Sequence, residues 1–168
     1  MIFRAAEEKD LPSLQAMYIR IVEHMHSSGL HIWDDMYPCC ALSGDIDCDR
    51  LYLLSEDDVP IAALALCEQS LGEKEVEWEN PDSRAIYIDR LGVDPGFAKR
   101  GFGSLMLSKA QELAKSCGAE YLRLFAVDSN IPAISLYLKS GFTQVNGIYV
   151  EKIDDELSML EFGFEKKL

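Results

Sequence analysis

The chain has no apolar run long enough to cross a bilayer: its longest, "IAALALC", has seven residues, where about 20 are needed. Its first ten residues, "MIFRAAEEKD", lack the basic region and apolar core of a secretory signal. A cytoplasmic protein is the expectation. Cysteine is sparse and unpatterned: Cys39, Cys40, Cys48, Cys67 and Cys117 form no C-x-x-C pair and are odd in number. An extracellular disulfide framework is therefore not expected. His24, His26 and His31 precede three of these cysteines, but the spacing fits no standard zinc pattern. His24 and His26, two apart on an expected helix, do not share a face, so no metal is expected. Basic residues are few as well, 16 Lys and Arg against 29 Asp and Glu, for a net charge of −13. Residues 1–80 carry 17 acids and 5 bases. The basic footprint that nucleic acid requires is missing.

What is present is the composition of one ordinary globular domain, 48% hydrophobic and 27% charged over 168 residues, with no repeat or linker. Residues 1–168 are expected to form one α/β domain. Residues 2–5 suit a strand. Asp10 and Pro12 open a helix whose Leu11, Leu14, Met17, Ile21 and Met25 keep helical spacing until Gly29. After the loop "HIWDDMYP" come a short helical stretch near 44–50 and a hairpin, "LYLLSEDDVPIAALALC", turning at "EDDVP". Then follow the strand "RAIYIDRLGV", a helix from about 102 to 117, the strand "YLRLFAV" and a helix "IPAISLYLKS" capped by Asn130 and ended by Gly141. "TQVNGIYV" and "LSMLEFGFEKKL" read as two closing strands.

The stretch "AKRGFGSLMLSKA" sets two glycines between a basic pair and a helix. The first turn of a helix leaves N–H groups unpaired in a positive potential, so this is an anion site. It is not a Walker A loop, because Phe102 and Gly103 stand where Lys and Ser or Thr are required, nor a dinucleotide fingerprint, because Met106 replaces the third glycine. Strand, loop, G-x-G-S and helix, with Lys99 and Arg100 at the entrance, suit a pyrophosphate.

From "YIDRLGVDPGFAKRGFGSLMLSKAQELAKSCG" through "LRLFAVDSNIPAISLYLKSGF" the chain resembles the GCN5-related N-acetyltransferase (GNAT) family, which uses acetyl-CoA. The resemblance implies a central mixed, mostly antiparallel twisted sheet flanked by helices, with a V-shaped splay between two parallel strands. The family's Q/R-x-x-G-x-G/A turn falls on Ala98, Gly101 and Gly103, with Ala98 a departure. Its N-x-x-A-x-x-x-Y-x-x-x-G-F pattern falls on Asn130, Ala133, Tyr137, Gly141 and Phe142. By resemblance, Ala98, Lys99, Arg100, Gly101, Phe102, Gly103 and Ser104 cradle the pyrophosphate. Leu91, Gly92 and Val93 offer main-chain groups to pantetheine, as an added strand would, and Asn130 and Ala133 lie along the same arm. Tyr137 falls where the family places the donor to the departing thiolate, a fitting role for a phenol; packing in the core is its plainer account.

The base that takes the amine proton is expected at Asp89, which simple alternation sets on one face with Tyr87, Leu91 and Val93. Glu77 and Glu79 are rivals for it and candidates for substrate contact. In the family the segment joining the first two helices walls the acceptor. Here that segment holds Trp33, Asp34, Asp35 and Tyr37, aromatic surface and negative charge that suit a cationic amine; an acidic loop anchored by Trp33 is the simpler alternative. The function implied is acetyl transfer from acetyl-CoA to a primary amine of a small molecule or peptide. The alternative is a non-catalytic acyl-CoA-binding module with a protein partner. No nucleic acid or membrane is expected. Many family members pair through late strands, which makes residues 157–168 the candidate segment for a homodimer.

Overall fold

The computed structural model describes residues 1–153 and 158–168. In chain order the elements are β1 Ile2–Ala5, α1 Leu11–Ser27, α2 Leu42–Asp47, β2 Leu51–Glu56, β3 Val59–Cys67, β4 Val76–Glu77, β5 Ala85–Val93, α3 Phe102–Ser116, β6 Tyr121–Val127, α4 Ile131–Lys139, β7 Thr143–Gln144, β8 Asn146–Gly147, β9 Tyr149–Lys152 and β10 Ser158–Lys167. Among the described residues the main sheet is mixed and mostly antiparallel, with β5 and β6 a parallel pair. The described residues form two compact units, Met1–Leu66 with Arg90–Met106, and Cys67–Asp89 with Leu107–Leu168. Strand β5 and helix α3 each run from one unit into the other.

In the first unit β1, β2 and β3 pair antiparallel. The β2–β3 turn is made by Asp57 and Asp58, both left-handed (φ 49° and 61°), the geometry that matches the twist of a two-residue hairpin. Ile61 to Ala65 are all fully buried, an apolar run covered on both faces. Helix α1 buries Leu14, Met17, Tyr18, Ile21 and Val22, the stripe its 3.6-residue period predicts. Asp10, expected at the helix start, has no side-chain cap bond there and instead accepts both Arg4 Nη groups at 2.6 and 2.8 Å. Helix α2 sits two to three residues earlier than the expected 44–50.

In the second unit the parallel ladder joins Ala85–Ile88 to Tyr121–Leu124 and ends there, while β6 continues to Val127. Strand β10 pairs antiparallel with β6 along one edge and with β9 and β7 along the other. Within the chain, β10 is paired over Glu161–Lys167 on one edge, and over Ser158–Glu161 and Phe164–Glu165 on the other. Leu157, its first expected residue, lies outside the described residues. Leu122, Leu124, Ala126, Phe142 and Phe164 are buried, as are Leu107, Ala110 and Ala114 of α3. The single strand expected at 143–150 is instead three short pieces. Thr143–Gln144 pairs with β10, Asn146–Gly147 turns away to pair with β4, and Tyr149 onward returns to β10. The change of partner coincides with Gly147 at φ 96°.

Candidate active site

In the first unit, β5 ends in Arg90–Val93. Arg90 is left-handed (φ 54°), so the regular alternation expected from Asp89 to Leu91 does not hold; Asp89 is exposed whereas Tyr87 is buried. Leu91 and Val93 are half-buried and Gly92 is buried. Asp94 follows, its main-chain N bonded to the Ile61 carbonyl at 2.8 Å. Its Oδ1 accepts from Gly96 N at 2.8 Å and its Oδ2 from Arg20 Nε at 2.9 Å. A buried, paired carboxylate thus fixes the point where the strand enters the turn.

The turn itself carries Ala98, Lys99 and Arg100, all exposed. Lys99 (φ 61°) and Gly101 (φ 83°) are left-handed, an alternation that curls main-chain N–H groups into an anion-binding concavity. Gly101 is needed for its backbone rather than for space, because a Cβ there would meet nothing within 4 Å. Its carbonyl starts α3 by accepting Leu105 N at 3.0 Å, which leaves the N–H groups of Phe102, Gly103 and Ser104 without helical partners. The Arg100 guanidinium lies 5.3 Å over the Phe97 ring, and Phe97 meets Phe102 edge-on at 6.2 Å. Among the described residues neither Lys99 nor Arg100 pairs with a carboxylate. Two unpaired cations beside a bare helix N-terminus fit a pyrophosphate.

The acidic loop is in the same unit. Asp34 Oδ1 accepts from Met36 N at 2.8 Å and Tyr37 N at 2.7 Å, and these two bonds hold its carboxyl below the usual range. Asp34 therefore shapes the loop. Trp33 packs edge-on against Tyr18 at 5.9 Å and Tyr37 at 6.3 Å, and its carbonyl meets His26 Nε2 at 2.7 Å. Trp33 and Tyr37 keep partial exposure, and Asp35 is fully outside.

In the second unit, Asn130 caps α4 by accepting from Ala133 N at 3.3 Å. One turn on, Tyr137 is 8% exposed, its ring packed on Phe142 and Phe164. Burial, and then the negative charge of Asp89, push its pKa up, so it holds its proton at every working pH. Its hydroxyl has no hydrogen-bond partner among the described residues. The ring is core, which the plainer account expects, and that packing leaves the hydroxyl available as a donor. Asp89 lies 3.9 Å from the Cys67 thiol.

Two carboxylates not singled out in the sequence join Asp89. Glu161 is opposite Tyr149, and Glu151 is opposite Met159, so Glu161 and Glu151 are diagonal neighbours on one face and share a hydrogen bond. Burial, that bond and the charges of Glu151 and Asp89 raise Glu161 to about 8. Their signal in the sequence was only the alternation of acids with apolar residues in late strands, which many solvent-facing strands share. The two rival acids are engaged elsewhere. Glu79 Oε2 accepts from Tyr121 OH at 2.9 Å, and Glu77 Oε2 from Asn146 Nδ2 at 3.3 Å. They frame Trp78, which covers the buried Arg123 at 4.5 Å; Arg123 in turn pairs with Glu165 at 3.2 Å. A cavity of about 640 Å³ opens beside Trp78, Tyr87 and Arg123 and is lined by none of the residues chosen from the sequence. Among the described residues no cluster of metal-ligating side chains occurs, and no helix is long and apolar enough to cross a membrane.

Residues 17–142 match the model of the Acetyltransferase (GNAT) family. The chain is 37% identical over 65 residues to mycothiol acetyltransferase of Beutenbergia cavernae, a stretch covering 39% of this chain. It spans about a fifth of that relative's length, 22%. In structure it is similar to a GNAT-family acetyltransferase of Streptococcus agalactiae (TM-score 0.83, 17% identity, 99% and 95% of the two chains covered). It is also similar to PaiA N-acetyltransferase of Thermoplasma acidophilum, solved in complex with coenzyme A (TM-score 0.70, 19% identity, 99% and 98% covered).

Proposed function

This chain belongs to the GNAT family of acetyltransferases, and from that premise we propose that it transfers the acetyl group of acetyl-CoA to a primary amine of a small molecule or peptide, within one domain spanning residues 1–168. The observation that carries the reading is the turn at 98–101, with two exposed cations that pair with no carboxylate among the described residues and a left-handed glycine leading into a bare helix N-terminus. Acetyl-CoA supplies the acyl group as a thioester. Lys99, Arg100 and the main-chain N–H groups from Gly101 to Ser104 hold its pyrophosphate, and charge-assisted contacts of this kind are the strong ones. Leu91–Val93 bond the pantetheine amides through main-chain groups, with Asn130 and Ala133 along the same arm.

The chemistry joins the amine nitrogen to the acyl carbon and breaks the carbon–sulfur bond. Asp89 attracts the acceptor ammonium and takes its proton, since an amine attacks only without it. Tyr137, protonated at rest, gives its proton to the departing thiolate and regains one from solvent before the next turnover. Trp33, Tyr37 and Asp35 contribute the acceptor wall, with Asp34 shaping it. A cytoplasmic setting accords with five cysteines, odd in number and without a C-x-x-C pair.

The test is thiol release from acetyl-CoA against a panel of amines, peptides and polyamines, with Tyr137→Phe alongside the wild type. Amine-dependent release that falls about 100-fold in the variant at unchanged coenzyme A affinity is expected, the size of a general-acid contribution. Binding without release for any amine would instead indicate a sensor module.

A further inference from the structure

In the first unit, the Arg90–Val93 segment is gripped from three directions. Asp45, on α2, is fully buried. Its Oδ2 accepts from Arg90 Nε at 2.6 Å and its Oδ1 from Arg90 Nη2 at 2.9 Å, a two-pronged pair, while Oδ1 also takes Arg50 Nε at 2.7 Å. The Arg90 side chain is 8% exposed and that of Arg50 is 41% exposed, so the interior carboxylate belongs chiefly to Arg90. The Arg90 carbonyl is held separately by the buried Tyr18 hydroxyl, which donates to it at 2.6 Å. At Gly92 the backbone presses so closely on α1 that a Cβ would come within 2.9 Å of Ile21 Cδ1 and 3.0 Å of Tyr18 Cε1. Between these grips Arg90 adopts a left-handed φ of 54°, a conformation a long side chain keeps only where its surroundings over-determine it. The same guanidinium donates from Nη1 to Tyr37 OH at 3.3 Å, at the end of the aromatic loop.

We infer that Asp45 is a positioning residue: through the Arg90 guanidinium it fixes the left-handed kink of β5, so aiming the main-chain groups of Leu91–Val93, and it ties Tyr37 of the acceptor loop to that strand. The inference rests on the reading that Leu91–Val93 receive pantetheine. One buried carboxylate then serves both the cofactor strand and the acceptor loop. Replacing it disturbs the pantetheine half of coenzyme A and spares the nucleotide half, which meets the turn at 98–104.

The experiment is calorimetric titration of the wild type, Asp45→Asn and Arg90→Lys with two probes: coenzyme A, and adenosine 3′,5′-bisphosphate, which lacks pantetheine. Both variants are expected to bind coenzyme A about tenfold more weakly, ~1.4 kcal/mol, with bisphosphate affinity unchanged. A folded Asp45→Asn that binds coenzyme A as the wild type does would overturn the inference, as would equal losses for both probes. If Asp45→Asn does not fold, Tyr18→Phe, which removes only the donor to the Arg90 carbonyl, replaces it. Selective weakening for coenzyme A again supports the inference, and unchanged binding again overturns it. A wild type that binds the bisphosphate but gains nothing from pantetheine removes the premise along with the inference. A wild type that binds neither probe contradicts the acetyl-CoA reading itself.

Discussion

Glu161 illustrates what a residue gains from its neighbours. A hydrogen bond between two carboxyl groups requires one to keep its proton, and Glu161 keeps it up to about 8, against 4.5 for an ordinary glutamate. Between those values the folded protein binds a proton that the unfolded chain has released, so stability falls as pH rises from about 4.5 to 8. Glu161→Gln, whose amide can donate to Glu151 as the protonated acid does, removes that dependence. In melting curves taken across pH it should match the wild type near pH 4 and exceed it by about 3 °C at pH 9; parallel curves would contradict the assignment. Tyr137 was legible as a candidate through the motif around it, which resembles the family's N-x-x-A-x-x-x-Y-x-x-x-G-F pattern. Glu161 was not, because its character comes from burial and from Glu151 and Asp89: strand register sets Glu151 beside it, and Asp89 belongs to a strand far off in sequence.

At the scale of elements, the sequence was most readable where a local rule decides the conformation. Helix α1, the β2–β3 hairpin, α3 and α4 lie within a residue or two of expectation, since helical periodicity, turn residues and the Asn130 cap act over short distances. The hairpin invites a direct test. Asp58 is left-handed with φ 61°, a position where glycine is favoured, so Asp58→Gly is expected to raise Tm by about 1–3 °C in thermal denaturation; a lower Tm would show that the aspartate has a role in the turn. Strands β4, β7 and β8 were not readable. Each has two residues, too few for a period, and their pairing is decided by distant partners. The kink at Arg90 escaped for the same reason, since nothing local predicts an arginine at positive φ, and it takes Asp45 and Tyr18 from other parts of the chain, with α1 pressed close at Gly92, to hold it.

For the whole molecule, composition excluded more than it identified. A charge of −13 argued against nucleic acid and was consistent with a cationic acceptor, but the fold class followed from two motifs in order. The division into two compact units, with β5 and α3 passing from one to the other, was not visible in the sequence, because no change of composition marks it. The proposed function depends on one event, the capture of acetyl-CoA by the turn at 98–104, and calorimetric titration of the wild-type protein with acetyl-CoA measures it most directly. The account predicts saturable heat at one site per chain, with affinity reduced about tenfold in Lys99→Ala/Arg100→Ala, in keeping with two charge-assisted contacts. Folded wild-type protein that gives no saturable heat, or a double variant that binds as tightly as the wild type, would contradict it.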